Sequence, residues 1–518
     1  MSYIIRDNEM LAELAALLTG NPGPHAAEFG AALAGGEIEL APGAEFSLDI
    51  PLVLGMPLRI KGNGAVLSGK APCAVMICSG NTEVSELTLN GYGCAVNIDA
   101  MGGTADGISL RNLTINDPGY GVCINIGSSK SNSSLRNILI SGCTLNSGYS
   151  REFAEESGIR DGAMGFNIAA ACPQSALTED LENAEIDGLV IDDCHILGAR
   201  RFGINMLVGV EVPSESSDYL NQQSVLRNNA IRNVKILRCE FDWCFEGGIS
   251  LMCGCIKNYG SICENLEVAY CRIVSGLLAV AISGAGPVVP TSVSRSMGVR
   301  HCSIHDNDCR AMDMDIGEPN YGIVIQSARA EGYAGIEVYD CFVEDVDIVN
   351  NTVTGNAFGI GLVAANALTD ERICLSGNYV RNIRITGNKL SDVETAFQFY
   401  AAYAEGRRFD WNWGWRKVDQ NWAPLLSDHT VSTAVYKDNF ISDIVCRDNL
   451  IDGCRYEVCA AGACGKGHAL MTGNRISDEI IFENNTFTRS ENHIRVMDSD
   501  ICDWVSADGN SVSAVFKN

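Results

Sequence analysis

Gly188-Leu-Val-Ile-Asp-Asp-Cys194-His-Ile-Leu-Gly-Ala-Arg-Arg-Phe-Gly203-Ile-Asn-Met206 is the phrase that decides the fold. Leu189 and Ile191 alternate with Val190 and Asp192, the period of a strand with one buried face. A turn holding Cys194 follows, then a very short strand, a link, and a third strand that opens Gly203-Ile204. The phrase returns as Asn233-Val-Lys-Ile-Leu-Arg-Cys239-Glu-Phe241 with Gly248-Ile-Ser-Leu251, and as Asn265-Leu-Glu-Val-Ala-Tyr-Cys271-Arg-Ile273. It returns again as Val346-Asp-Ile-Val-Asn-Asn351-Thr-Val353 with Gly359-Ile-Gly-Leu362, and as Asn382-Ile-Arg-Ile-Thr-Gly-Asn388-Lys-Leu390. Late copies centre on Asn449, Asn485 and Asn510. About eleven copies at near-constant core spacing make a solenoid, each repeat burying its apolar face on the next.

What varies is the segment after the third strand. Long excursions lie at 146–163, 171–184, 209–230, 285–296, 365–379 and 402–440. Insertions at one fixed place in a repeat stack on one side of a solenoid, often its binding side. Ahead of the repeats, Asn8 caps a predicted helix through Met10, Leu11, Leu14, Ala15 and Leu18, stopped by Gly20; a second helical piece runs from His25 to Leu33. The expected organisation is an N-terminal helical cap over 1–37 and a solenoid over 38–518.

The composition agrees with a large core, at 46% hydrophobic and 19% charged residues. Glycine, at 53, exceeds proline, at 13, which suits many tight turns. A formal net charge of −27 repels nucleic acid and anionic membranes, so neither is an expected partner. It repels a polyanionic glycan too, unless cations or a basic patch intervene. No apolar run approaches the roughly eighteen residues that span a bilayer. The opening Met-Ser-Tyr-Ile-Ile-Arg-Asp-Asn-Glu9 lacks a basic segment followed by an apolar one, so no secretory signal is read. The 22 cysteines are then expected to be mostly reduced.

The repeat resembles the single-stranded right-handed parallel β-helix of the pectate-lyase-like superfamily, over residues 38–518. The fold class expected is therefore all-β, a parallel β-helix with a short helical N-terminal cap. In that superfamily a short turn carries a stacked asparagine ladder. Asn351, Asn388, Asn449, Asn485 and Asn510 match it, with Cys143, Cys194, Cys239 and Cys271 in the same place upstream. The resemblance also implies that the Gly-Ile strand forms the floor of a glycan cleft. Alignment of the repeats predicts one outward column of Asn205, Ser250, Ala281, Asp313, Gly361, Gln398 and Glu457. A second column runs Leu207, Met252, Ser283, Asp315, Val363, Tyr400 and Cys459.

Asp313 and Asp315 lie in Met312-Asp-Met-Asp-Ile316, whose alternation puts both carboxylates on one face, roughly 7 Å apart. That spacing suits an acid/base pair; two solvated aspartates on an outer face are the plain alternative. Glu246, Glu318 and Glu394 lie near the same column, and Asp313, Asp315, Glu318 and Glu246 are the expected catalytic set for a glycoside hydrolase. A lyase or epimerase instead needs a base such as Tyr400, Arg407 or Arg408, and a cation, calcium being the candidate cofactor in that case alone. Substrate contacts are expected from Gln398, Tyr400, Arg407, Arg408, Trp411, Trp413 and Trp415, since the 407–422 segment holds four of the six tryptophans, which suit sugar faces. No metal site is expected. The four short polygalacturonase motifs and the pectate-lyase Arg-Pro-x-x-Arg segment are absent, against a pectin substrate. The other class of reading is a phage tailspike or adhesin that binds glycan. The expected partner is an oligo- or polysaccharide, the expected location cytoplasmic or within a phage particle. A homotrimer is the preferred assembly, by resemblance to spikes, because Asn510 and its flanks still read as solenoid.

Overall fold

The computed structural model describes the chain except for residues 1–2, 22–23, 25, 119–120, 149–163, 172–178, 210–223, 255–256, 288–291, 313–319, 331–334, 368–372, 405–433, 466–468, 478–479, 502–504 and 514–518. The chain winds as a single-stranded right-handed parallel β-helix. Each strand pairs in parallel with its counterpart one turn on. Glu185–Asp192 pairs with Ala230–Leu237, His195–Leu197 with Glu240–Cys244, and Phe202–Val208 with Gly247–Met252. The alternation sets the register: Leu189 meets Val234, Ile191 meets Ile236, Ile196 meets Phe241 and Ile204 meets Ile249, all buried. A slip of one residue would turn each row to solvent, at a cost of about 1.5–3 kcal/mol per large apolar side chain.

Two features were not visible in the three-strand repeat. From Leu181 onward a short lead strand precedes the long one, and these lead strands form a separate nine-stranded sheet. Leu181–Glu182, Leu226–Arg227, Val293–Arg295, Cys374–Ser376 and Ala434–Lys437 belong to it, so the C-terminal parts of five expected excursions are solenoid. Strands so short carry too little alternation to read. Each long strand also bends once through a left-handed residue: Gly188 (φ 79°), Asn233 (55°), Asn265 (60°), His301 (57°), Asp345 (58°) and Asn382 (55°). Asn, Asp and Gly tolerate that conformation best, which is why they recur at the head of the phrase.

Two asparagine ladders run along the turns. In the first, Asn307, Asn351, Asn388, Asn449 and Asn485 stack, each amide bonded to the next. Cys271 hands over to it by donating its N–H to Asn307 Oδ1 at 2.9 Å. Upstream thiols stand in the same place, and Cys239 and Cys271 point Sγ at a carbonyl of the preceding coil. The second ladder follows the lead strands through Asn378, Asn439, Asn474 and Asn510. Asn510 thus belongs to this row, not to the one in which the sequence alignment put it. None of the described cysteines forms a disulfide, and most are buried.

At the N-terminus two helices, α1 (Asn8–Leu18) and α2 (Ala26–Gly35), lie against the first coil. The cap of α1 is Asp7, whose carboxylate accepts from Met10 N–H at 3.0 Å, rather than Asn8, whose Oδ1 accepts from Ser47 N–H at 2.8 Å. Tyr3–Ile5, ahead of α1, is itself a strand paired with Glu37–Leu40.

Candidate functional site

The third strands present the outer face from which most excursions leave. Its first column is an amide row: Asn97, Asn125, Asn167 and Asn205 lie opposite one another and bond in sequence at 2.7, 2.9 and 3.3 Å. The column continues through Ser250, Ala281, Val324, Gly361, Gln398 and Cys459. The second column runs Leu207, Met252, Ser283, Gln326, Val363, Tyr400 and Ala461. The strand between Leu278–Ala285 and Phe358–Ala367 is therefore Tyr321–Ala330, and Val324 and Gln326 hold the places that the alignment gave to Asp313 and Asp315. Near the end, Cys459 replaces Glu457 and Ala461 replaces Cys459. Tyr321-Gly322-Ile323 carries the Gly-Ile opening shared with Gly203-Ile204, Gly248-Ile249 and Gly359-Ile360.

Asp313, Asp315 and Glu318 lie outside the described residues, as do Arg407, Arg408, Trp411, Trp413 and Trp415. The chain enters the 313–319 segment from Met312, buried with its N–H on Ser275 O at 2.9 Å, and leaves it one residue before Tyr321. Glu246 stands just before a third strand, buried, with Oε2 3.4 Å from Arg201 Nε. Glu394 is exposed and faces Arg455 at 3.4 Å.

Apolar clusters outside the main core lie on this face. Tyr321, Val324, Leu278 and Ala281 form one, with Tyr321 stacked on Phe358 at 4.7 Å between ring centres. Val363, Tyr400, Cys459 and Ala461 form the other, joined by Tyr403 and Tyr456. Burial pushes the Tyr400 phenol far above the ordinary tyrosine range, so it is a neutral donor and no base near neutral pH. Gln398 and Gln326 are buried here. Both column positions of the six central coils, from Ser250 and Met252 to Cys459 and Ala461, are free of carboxylates. The polar side chains on these columns are amides, hydroxyls and phenols.

One cluster elsewhere has metal-ligand chemistry. His195, Glu240 and Asp242 bring ligand atoms within 4.8 Å of one another. Arg272 donates to both Asp242 oxygens at 2.7 and 2.8 Å, and His195 Nε2 lies 3.1 Å from Oδ2. The guanidinium already occupies the place of a cation, on second strands and away from the amide row.

No protein family matches this sequence, and no curated protein does. Among solved structures the chain is similar to PfbA, a surface adhesin of Streptococcus pneumoniae, at 11% identity over 95% of this chain and 93% of that one, TM-score 0.37. It is similar to the catalytic domain of a GH87 alpha-1,3-glucanase in complex with tetrasaccharides, at 10% identity over 100% and 68%, TM-score 0.35. A mannuronic acid specific polysaccharide family 6 lyase from human gut microbiota is similar at 14% over 92% and 86%, TM-score 0.35. At such identities and TM-scores the likeness says nothing about activity.

Proposed function

We propose that this chain is a carbohydrate-active protein that holds an oligo- or polysaccharide against the outer face of the third strands, and that it acts as a glycoside hydrolase. The observation that carries the reading is the row of amides on this face, followed further along by scattered amides and phenols. Asn97, Asn125, Asn167 and Asn205 lead into a stretch holding Tyr321, Gln326, Gln398 and Tyr400. Amides and phenols exchange hydrogen bonds with hydroxyls, and aromatic faces stack on sugar rings. In the hydrolase reading one of Asp313 and Asp315 protonates the glycosidic oxygen and the other serves as base or nucleophile, with Glu318 and the Arg407–Trp415 segment lining the cleft. A lyase would need a cation such as calcium and a base other than the neutral Tyr400 phenol.

The absence of carboxylates from the described central floor favours a second reading, a glycan-binding spike or adhesin. A panel of polysaccharides decides between them. Release of reducing ends supports the hydrolase, absorbance near ~235 nm from unsaturated uronates a lyase, and binding without either a pure binder. Retention of no glycan at all would overturn the proposal.

Self-association belongs to the same proposal. The last long strand, Thr486–Ile501, pairs with Leu450–Gly465 along one edge. Ile494 and Val496 are 45% and 40% exposed, while Val458 and Ala460, opposite them one coil back, are 1% and 0% exposed. Exposed apolar side chains of this kind are a surface that a second copy can cover. Light scattering at micromolar concentration is expected to give a multiple of 55.5 kDa, a trimer in the spike reading; a monomer throughout would overturn it.

A further inference from the structure

Cys73 and Cys94 stand opposite one another at the heads of two consecutive third strands, Cys73–Ile77 and Cys94–Asp99. Both are partly exposed, unlike the buried thiols of the turn row. Each points its Sγ along its own strand, Cys73 to Val75 O at 3.0 Å and Cys94 to Val96 O at 3.3 Å. The two side chains thus take the same direction, and the thiols hydrogen-bond to one another across the coils. The next residue in this column is Val122, so they form a pair and not a row.

Spacing decides what such a pair can hold. Side chains in register on neighbouring parallel strands repeat at the strand spacing, about 4.8 Å. A disulfide needs Cβ atoms about 3.5–4.5 Å apart and sulfurs at about 2.05 Å, which this register does not offer unless a coil moves. Zinc wants four donors, and among the described residues only His195, Glu240 and Asp242 gather as many as three metal-binding groups. A metal ion in line between two sulfurs, with bonds of about 2.3 Å, spans about 4.6 Å, close to the rung repeat. It takes the place of the shared hydrogen and needs no cavity beyond the gap between the rungs.

We infer that Cys73 and Cys94 form a two-coordinate site for a soft monovalent cation of the Cu(I) class. Thiolate ligands suit such ions. Binding breaks two S–H bonds, releases both protons to solvent and forms two sulfur–metal bonds; no electron is transferred. The pair is prepared for this. The Cys94 thiol donates to the Cys73 sulfur, which holds Cys73 below the ordinary thiol range and Cys94 well above it. The first proton therefore leaves more easily than from an isolated cysteine. Partial exposure gives the ion access from solvent, and the −27 net charge draws cations to the chain. The site is independent of the glycan reading.

The test is anaerobic titration of the reduced full chain with Cu(I) against a chromophoric Cu(I) chelator, followed by X-ray absorption at the copper edge. The chain is expected to hold about one Cu(I), with two sulfur neighbours at about 2.2–2.3 Å. Cys73→Ser and Cys94→Ser are each expected to lose that equivalent, whereas Cys239→Ala, in the buried turn row, keeps it. If a serine variant does not fold, the parent chain answers: Cu(I) is expected to slow alkylation of Cys73 and Cys94 at least about 10-fold, read by peptide mass spectrometry. A chain that holds no Cu(I), retention of the equivalent by both serine variants, unaltered alkylation, or copper bound by three or more sulfurs would overturn the site. So would a Cys73–Cys94 disulfide in chain exposed to air, since the rungs would then lie closer than the register sets them.

Discussion

Asp313→Asn and Asp315→Asn are each expected to lower glycan turnover about 10²–10⁴-fold, the span typical of losing a general acid or base, with little change in melting temperature. Two considerations motivate the expectation. The first is the sequence alone: Met312, Met314 and Ile316 alternate with the two aspartates, the pattern expected of two carboxylates that share a face. The central floor, from Ser250 to Cys459 and from Met252 to Ala461, has no carboxylate of its own. On the hydrolase proposal an acid/base pair would come from a bordering segment, and 313–319 precedes the third strand Tyr321–Ala330 in the chain. Asparagine keeps the shape and removes the proton chemistry, so a structural role and a catalytic one separate cleanly. Turnover within a few-fold of the parent in both variants would remove the pair from the mechanism. Loss of turnover together with a large fall in melting temperature would make it structural.

The sequence carried the solenoid and its inward rows almost completely, because burying one face of a strand demands strict alternation. Leu189, Ile191, Ile236, Val268 and Ile385 are all in the core where the repeat places them. The outward columns were legible only in part. An outward position carries no periodic demand, so Asp313 in an alternating stretch looked as good as Val324 in another. The decisive cue was the glycine of Gly322-Ile323: an added Cβ at Gly322 would sit 2.3 Å from Val353 Cγ1 and 2.7 Å from Gly359 O. At Gly203, Gly248 and Gly359 an added Cβ likewise meets a core side chain at 2.3–2.4 Å. Close packing thus restricts the head of the third strand to glycine or, at Ala279 and Ala396, alanine, a second cue beside alternation. The second ladder was missed for a related reason. Asn378, Asn439 and Asn474 follow short lead strands with no apolar pattern of their own, and only their hydrogen bonds reveal the row.

Asn388→Ala is expected to destabilise the central coils by about 3–5 kcal/mol, among the largest single-residue effects in the chain. Asn388 is fully buried and ties three coils together. Its Nδ2 donates to Ile348 O at 2.8 Å and to Asn449 Oδ1 at 3.0 Å, and its Oδ1 accepts from Asn351 N–H at 2.9 Å and Asn351 Nδ2 at 3.0 Å. Alanine leaves the Asn351 N–H without its partner and takes one bond from each of Asn351 Nδ2, Asn449 Oδ1 and Ile348 O in a buried place, where an unmade hydrogen bond costs about 1–3 kcal/mol. Cysteine occupies the same rung naturally at Cys239, but there the neighbouring rungs, Cys194 and Cys271, are thiols that leave no amide waiting. Asn388→Cys is therefore expected to cost nearly as much as alanine, whereas Cys239→Ala costs only the lost packing. A solenoid opens locally, so amide hydrogen exchange in the coils around 351, 388 and 449 is the sharper readout beside denaturant melting. A loss below about 1 kcal/mol for Asn388→Ala would mean that the ladder bonds merely exchange with water. The repeated asparagine would then be a requirement of turn geometry alone.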